Sequence, residues 1–430
     1  MTHSLKGRKI TWHGLVTDLL DYLWNPFTSV QMPLNFRDTA IAFHSHDDAS
    51  LRRSYWLFKT LASPALVQMG KGVTLWALQW RLPIKSIIRA TVFKQFCGGE
   101  TVLDCKPVAQ RNWALGVGSI LDYSVEGQTD QKAYDHTTDM TLQTLAMAAN
   151  EPGIPLGVFK VTGLADTGML EKVGRGEALS ASESEAWERA QARVDRICHY
   201  AHQVGVPVML DAEETWIQDA IDRLAYQAMA RYNQEKVIVF NTIQCYRTGR
   251  LEALNQALEN AQKGSYGLGI KFVRGAYMEK ERERAQKKGL PSPIQPTKEA
   301  TDAEFNACVV RMISALGRPE DGQKLACMIG SHNEESAALA ADWLTAQGWT
   351  PETAPVWFAQ LYGMSDHISF VMAHHGFRVA KYLPFGPIDA VMPYLFRRAE
   401  ENTSVKGQTG RELGLIQTER ARRSAAKRSK

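Results

Sequence analysis

A chain of 430 residues, 44% hydrophobic and 22% charged, can bury a large core and reads as a soluble globular protein of one large domain or two ordinary ones. Its formal net charge is +4, but six Lys and Arg lie in the last thirteen residues, "TERARRSAAKRSK". The rest holds 44 basic and 45 acidic side chains, a balance that argues against nucleic-acid binding by the fold itself.

The first residues, "MTHSLKGRKITWHGLVTDLLDYLW", are basic, but His13, Asp18 and Asp21 interrupt the apolar run that a signal peptide needs. No stretch approaches the roughly 20 apolar residues that span a bilayer. Through residue 112 the pattern is helical. In "SYWLFKTLASPALVQMGKGVTLWALQWRLPIKSIIRATVFKQF" apolar residues recur at three- and four-residue spacing, with turn signals at Ser63-Pro64 and Gly70-Lys71-Gly72. The six cysteines, Cys97, Cys105, Cys198, Cys245, Cys308 and Cys327, are scattered with no CxxC pair. They argue against a zinc module or a disulfide framework and fit a reducing compartment.

After residue 112 eight short β-branched and apolar runs follow: "ALGVGSILDYSVEG", "PLGVFKVTGLA", "VPVMLDAEE", "KVIVFNTIQCY", "LGIKFVRGAY", "KLACMIGSH", "PVWFAQLYGM" and "FRVAKYLPFG". Amphipathic helical stretches such as "TWIQDAIDRLAYQAMARYNQ" separate most of them. Strands alternating with helices call for a parallel sheet, and eight units close a (β/α)₈ barrel. The competing open, doubly wound sheet wants an early Gly-rich phosphate loop, and neither GxGxxG after a strand nor GxxxxGK[ST] occurs. The expected organisation is a helical region over 1–112, a barrel over 113–415 and a basic tail over 416–430.

In such a barrel functional side chains gather where strands end. Polar residues collect there: Asp122 and Glu126, Lys160 and Thr162, Asp211, Glu213 and Glu214, Gln244, Lys271 and Arg274, His332 and Asn333, and Tyr382. Past the last strand "YLFRRAEEN" sets Arg397 and Arg398 side by side on an expected helix. Two lysines and two arginines predict an anionic ligand, and a guanidinium fork suits a carboxylate or phosphate. The alternative is a local pair with Glu400 or Glu401 while the other arginine snorkels. A metal-dependent hydrolase built on Asp211, Glu213, Glu214 and His332 is a weaker alternative. The HxH that such barrels show on the first strand occurs here only as His44 and His46, an expected surface pair in the helical region.

The ordered series "FKVTGL", "LDAEE", "FNTIQCY", "IKFVRGAYMEKER", "PIQPTKEATD", "SHN", "QLYGM", "YLPFG" and "YLFRRAEEN" resembles the flavin-dependent proline dehydrogenases over about residues 115–415. The resemblance implies a distorted (β/α)₈ barrel with FAD at the strand C-termini. It also implies oxidation of L-proline to Δ1-pyrroline-5-carboxylate by hydride transfer to flavin N5, with electrons passed to a membrane quinone. By the same resemblance Arg397, Arg398 and Lys160 grip the proline carboxylate, while Tyr382, Tyr394 and Leu361 wall the ring. Asp211 orders the cationic cluster, and Glu126 pairs with Arg398 to close the site. Gln244, Lys271, Val273, Arg274, Gly275, Ala276, Tyr277, Thr297, His332 and Glu401 align with cofactor-contacting positions. Lys271 and Arg274 stand where bifunctional members carry Arg and then Lys, which leaves either one as the cation nearest N5. Met278 stands where some relatives carry Trp.

The bifunctional relatives continue into an aldehyde dehydrogenase domain. Here only the basic tail follows, so the product is expected to be released. A cytoplasmic enzyme peripheral to the inner face of the membrane is expected, with Arg420, Arg422, Arg423, Lys427, Arg428 and Lys430 drawn to anionic lipid. Hydroxyproline is the rival substrate, and a non-enzymatic scaffold the rival class.

Overall fold

All eight apolar runs become parallel strands, in the computed structural model, which describes residues 34–80, 83–125, 130–322, 324–404 and 408–428. Helices α1 (Asp48–Leu61), α2 (Pro64–Gln79) and α3 (Val102–Trp113) come before β1 (Val117–Tyr123). Next come α4 (Gln131–Ala148), β2 (Gly157–Lys160), α5 (Thr167–Arg175), α6 (Ala181–Val204), β3 (Val208–Asp211), α7 (Thr215–Tyr232) and β4 (Val239–Gln244). The middle of the chain supplies α8 (Arg250–Gly264), β5 (Leu268–Val273), α9 (Met278–Lys288), α10 (Lys298–Leu316) and β6 (Leu325–Gly330). It ends with α11 (Glu334–Ala346), β7 (Val356–Leu361), α12 (Asp366–His374), β8 (Val379–Phe385), α13 (Ile388–Ser404) and α14 (Gln408–Arg428).

Hydrogen-bonded ladders join the strands in the order β1-β8-β7-β6-β5-β4-β3-β2. The ring is therefore nearly closed, and its distortion lies at the seam between β1 and β2. There Ser119 N donates to Gly153 O at 2.8 Å, in a loop rather than a strand. Gly118 permits this approach, since a Cβ on it would lie 2.9 Å from the Pro155 ring. Ile120, Val158, Met209, Phe240, Met328, Ala359 and Ala380 form the apolar filling inside the barrel. Because side chains alternate across a strand, Asp122, Lys160, Asp211, Leu361 and Tyr382, each two residues on, share that inward face at the C-terminal mouth. The larger core lies between the strands and the surrounding helices, whose ends follow local chemistry. Ser180 and Glu183 form a capping box at the start of α6, and Gly205 ends it at φ +70°.

Two local expectations change. Ser63-Pro64 does break the chain between α1 and α2, but Gly70-Lys71-Gly72 continues inside α2. Packing outweighs glycine's poor propensity there: Val67 and Ala77 are buried, and Lys71 Nζ reaches Glu400 Oε1 of α13 at 2.7 Å. His44 is exposed as expected, but His46 is half-buried. His46 Nε2 lies 2.9 Å from Asp366 Oδ2, and the His44 ring packs edge-on against Phe370.

The basic C-terminal stretch is also engaged, as the second half of α14. Leu415 and Ile416 pack with Ala42, Phe43, Leu51 and Phe58. Buried Glu419 accepts from Arg422 Nε and Arg423 Nε, both at 2.7 Å. Arg423 also donates to His46 O at 2.7 Å, Lys427 pairs with Asp48, and Arg420 stacks on the Tyr55 ring at 4.2 Å. The six cysteines are buried free thiols. Lys430 and Glu126 lie outside the described residues. No helix among the described residues is long and apolar enough to cross a membrane.

Candidate active site

Lys160 and Asp211 end adjacent strands in register, which sets Nζ 3.2 Å from Oδ2. Lys160 also lies 3.6 Å from Asp122 Oδ2, whose other neighbour is the Ser124 hydroxyl at 2.7 Å. From β5, two strands along from β3, Lys271 donates to Asp211 Oδ1 and, at 2.9 Å, to the Tyr382 hydroxyl. Tyr382 in turn donates to Met209 Sδ at 3.7 Å, on the apolar layer below. One carboxylate thus bridges two ammonium groups, half-buried Lys160 and buried Lys271.

The charges respond to that setting. Burial raises the Asp211 pKa, but Lys271 and Lys160 overcome it and hold the carboxyl below its ordinary range. Burial also opposes the Lys160 ammonium, yet Asp122 and Asp211 hold its pKa well above the usual lysine value. At Lys271 burial wins and the pKa falls, with Asp211 pulling the other way. Burial and Asp211 push Tyr382 well up, so its hydroxyl keeps its proton. Glu213, just past β3, accepts from Thr162 N at 3.0 Å and from the Thr162 hydroxyl; burial pushes its pKa up to about 7.

Leu361 links this cluster to α13. It is the register partner of Tyr382, and it packs against the apolar group that contains Tyr394, Leu395 and Ile388. On α13 the Arg398 guanidinium lies 5.2 Å from the Tyr394 ring centroid and pairs with Glu401, while Lys71 takes Glu400. Arg398 is buried and Arg397 half-buried. The local ion pair is therefore present at Arg398. The Tyr394 hydroxyl is buried with no hydrogen-bond partner.

On the other side of the mouth, Gln244 and Val273 are register partners at the ends of β4 and β5. Gln244 Nε2 donates to Glu213 O at 2.6 Å, and its Oε1 accepts from Ala276 N at 3.4 Å. Gly275 holds φ +130°, and a Cβ there would lie 2.4 Å from the Tyr246 ring. Only glycine allows that backbone, whose neighbours Arg274, Ala276 and Tyr277 lead into α9. Arg274 has several protein partners. It donates to Asp302 Oδ1 at 2.6 Å, Ser331 Oγ at 2.7 Å and Ser336 Oγ at 3.0 Å, and lies over Phe305. Thr297 caps α10, its hydroxyl accepting from Ala300 N at 3.1 Å. His332 Nδ1 sits 2.8 Å from Ser365 Oγ, and Leu361 N donates to its Nε2 at 3.5 Å. Burial pulls its pKa down to about 3, with Lys381 and Arg398 adding to the effect, so the ring is neutral and Nδ1 carries the proton.

A glycine-shaped backbone cradle, a buried lysine and an unsatisfied tyrosine hydroxyl around one barrel mouth fit a large planar, polar-edged group such as a flavin. No three His, Cys, Asp or Glu side chains among the described residues gather as they would around a metal ion. Of the aligned site residues the mouth joins Lys160, Asp211, Lys271, Tyr382 and Leu361 directly; Gln244, Arg274, Thr297, His332 and Glu401 each engage protein partners. Sequence reasoning missed Met209 and Ser365. Met209 was accessible through strand alternation, two residues before Asp211. Ser365, at φ +51° for a non-glycine residue, had no such signal.

The proline dehydrogenase family profile matches residues 105–411. The carbapenem antibiotics biosynthesis protein CarD of Pectobacterium carotovorum is 34% identical over 330 residues, covering 76% of this chain and 83% of its own. Mitochondrial proline dehydrogenase 1 of Arabidopsis thaliana is 30% identical over 440 residues, covering 91% and 87%. Among solved structures, proline utilization A (PutA) from Bdellovibrio bacteriovorus superposes with a TM-score of 0.66 at 19% identity. That match covers 93% of this chain and 39% of PutA, so the chain spans about two fifths of that protein's length.

Proposed function

This chain belongs to the proline dehydrogenase family, and from that premise we propose that it oxidises L-proline to Δ1-pyrroline-5-carboxylate, with FAD as redox group and a membrane quinone as final acceptor. The observation that carries the reading is the cluster at the barrel mouth of half-buried Lys160 and Asp211 with buried Lys271 and Tyr382, joined through Leu361 to the helix of Arg397 and Arg398.

In this reading Arg397, Arg398 and Lys160 bind the proline carboxylate. Tyr382, Tyr394 and Leu361 enclose the ring and exclude water from the reacting carbon. Asp211 keeps both lysines charged and fixed in place. Glu126 closes the site against Arg398, a role that rests on the resemblance alone. Gln244, Lys271, Val273, Gly275, Ala276, Tyr277, His332 and Glu401 would hold the flavin, with Thr297 and Arg274 shaping the loops behind it. FAD, when bound, supplies the two-electron acceptor for the hydride that leaves proline as its ring nitrogen gives up a proton. Lys271, directed inward by Asp211 and Tyr382, is the cation placed to stabilise negative charge there; the Arg274 guanidinium is spent on Asp302 and two serines. The bulk of the Tyr382 and Tyr394 rings is what favours proline over hydroxyproline.

The purified protein is expected to show flavin absorption bands that bleach on anaerobic addition of proline and return with a quinone analogue. A colourless preparation that turns over no proline would sink the reading, and a higher kcat/KM for hydroxyproline would reassign the substrate.

A further inference from the structure

One face of the N-terminal helices is apolar and left uncovered by the described residues. Leu66, Met69, Val73 and Trp76 on α2, with Trp80 just beyond it, are 43% to 67% exposed. At the ideal advance of about 100° per residue these five side chains fall in a strip roughly 80° wide. The Trp76 and Trp80 ring centroids lie 6.5 Å apart. The opposite face of α2 rests on α13, through buried Val67 and the Lys71–Glu400 pair. The helix is thus held on one side and open on the other, and so many large apolar side chains in one exposed strip mark an interaction surface.

The charge around the strip indicates what it meets. From Ala49 to Gly99 the sequence carries eight Lys and Arg and no Asp or Glu, in a chain whose body is otherwise balanced. Arg52, Lys59 and Lys94 are exposed, and Lys59 Nζ lies 4.9 Å over the ring of exposed Trp56. An apolar helix face with tryptophans at one end and cations beside it matches the chemistry of the lipid–water interface of an anionic bilayer. Three cations of that stretch have acidic partners, Lys71 with Glu400, Lys85 with Asp389 and Arg89 with Glu100, whereas exposed Arg52, Lys59 and Lys94 would meet their own like charges in a second copy of the chain.

We propose that the exposed face of α1 and α2 docks on an anionic lipid bilayer, with Trp76 and Trp80 at the headgroup level and the barrel held above. The surface goes beyond the catalytic reading and does not depend on which substrate the barrel takes. It also differs from the C-terminal helix, where Arg420, Arg422, Arg423 and Lys427 are engaged by Tyr55, Glu419 and Asp48. Because α2 lies directly on the helix of Arg397 and Arg398, docking there would set the mouth of the barrel close to the membrane.

The test is co-sedimentation of the full chain, as holoenzyme, with vesicles of equal parts phosphatidylcholine and phosphatidylglycerol. The wild type should bind, and high salt or vesicles of phosphatidylcholine alone should weaken binding. Trp76→Gln/Trp80→Gln, and separately Leu66→Gln/Met69→Gln, should lower the partition coefficient about ten-fold or more. Circular dichroism and activity with a water-soluble dye acceptor should stay unchanged in both. Equal binding by the variants would overturn the proposal, as would absence of wild-type binding. Equal binding to the uncharged vesicles would remove the anionic requirement. A wild-type dimer that the tryptophan variant turns into a monomer, without vesicle binding, would assign the face to a second copy. Binding that appears only after deletion of residues 1–33 would assign it to that segment.

Discussion

Replacing Asp211 by Asn would leave buried Lys271 and half-buried Lys160 near one another with their shared counter-charge gone. Removing one partner of a buried pair costs about 3–5 kcal/mol, well above the roughly 1 kcal/mol of an exposed pair. Asp211→Asn should therefore lower unfolding stability by that larger amount, and adding Lys271→Met should recover part of it. A loss under about 1 kcal/mol in urea titrations would mean that the cluster is solvated. The arginine pair calls for a different measurement, because Arg398 already has Glu401. Arg397→Lys and Arg398→Lys keep the charge but lose the planar fork, so apparent proline affinity should fall while Tm and flavin content hold. Truncation to Ala should cost about 2–5 kcal/mol in binding. A lower Tm with an unchanged KM would assign the pair to helix stability alone. At this scale the sequence was most legible where chemistry and strand phase agree, as for Lys160, Asp211, Lys271 and Tyr382. It was least legible for Arg274, because a charged residue after a strand looks the same whether it faces a ligand or Asp302, Ser331 and Ser336, which are brought to it only by the fold.

The loops after β2 and β3 are tied together by Glu213, whose carboxylate takes both the backbone N–H and the hydroxyl of Thr162. Its folded-state pKa of about 7 stands above the ordinary 4.5 because the group is buried, so the native state holds this proton more tightly than the unfolded chain. Its contribution to stability is accordingly full below pH 4.5 and is lost as pH rises toward and through 7. At about 1.4 kcal/mol per pKa unit the loss approaches roughly 3 kcal/mol. Glu213→Gln removes the titration, so the difference in Tm between variant and wild type should move in the variant's favour from pH 5 to pH 8. A pH-independent difference would show that Glu213 stays ionised throughout. Element by element, the eight strands were readable because each is a short run buried on both faces between amphipathic helices. The turn expected at Gly70-Lys71-Gly72 was misread because local propensity counts less there than the side chains on either side, which anchor α2 to α13.

The basic C-terminal residues were the hardest part of the molecule to read, since their partners are far away in sequence: Arg423 and Asp48 are separated by 375 residues. Composition alone shows a charged tail, whereas the fold uses α14 as a clasp. At one end Glu412 accepts from Ser365 N, and the Ser365 hydroxyl contacts His332 at the barrel mouth; Arg411 adds a two-pronged bond to Glu334 at 2.8 and 3.0 Å. In the middle Ile416 sits among Phe43, Leu51 and Phe58, and at the other end Arg423 donates to the carbonyl oxygens of Phe43 and His46. The N-terminal helices, the clasp and the His332 loop therefore share contacts and should unfold as one unit. Ile416→Ala removes buried carbon from a site far from the barrel mouth and should cost about 2–5 kcal/mol. If the parts are coupled, the thermal transition followed by far-ultraviolet circular dichroism and the release of flavin fluorescence should fall by the same number of degrees. Loss of helical signal at a temperature where flavin remains bound would show that the helices detach on their own and that α14 does not support the site.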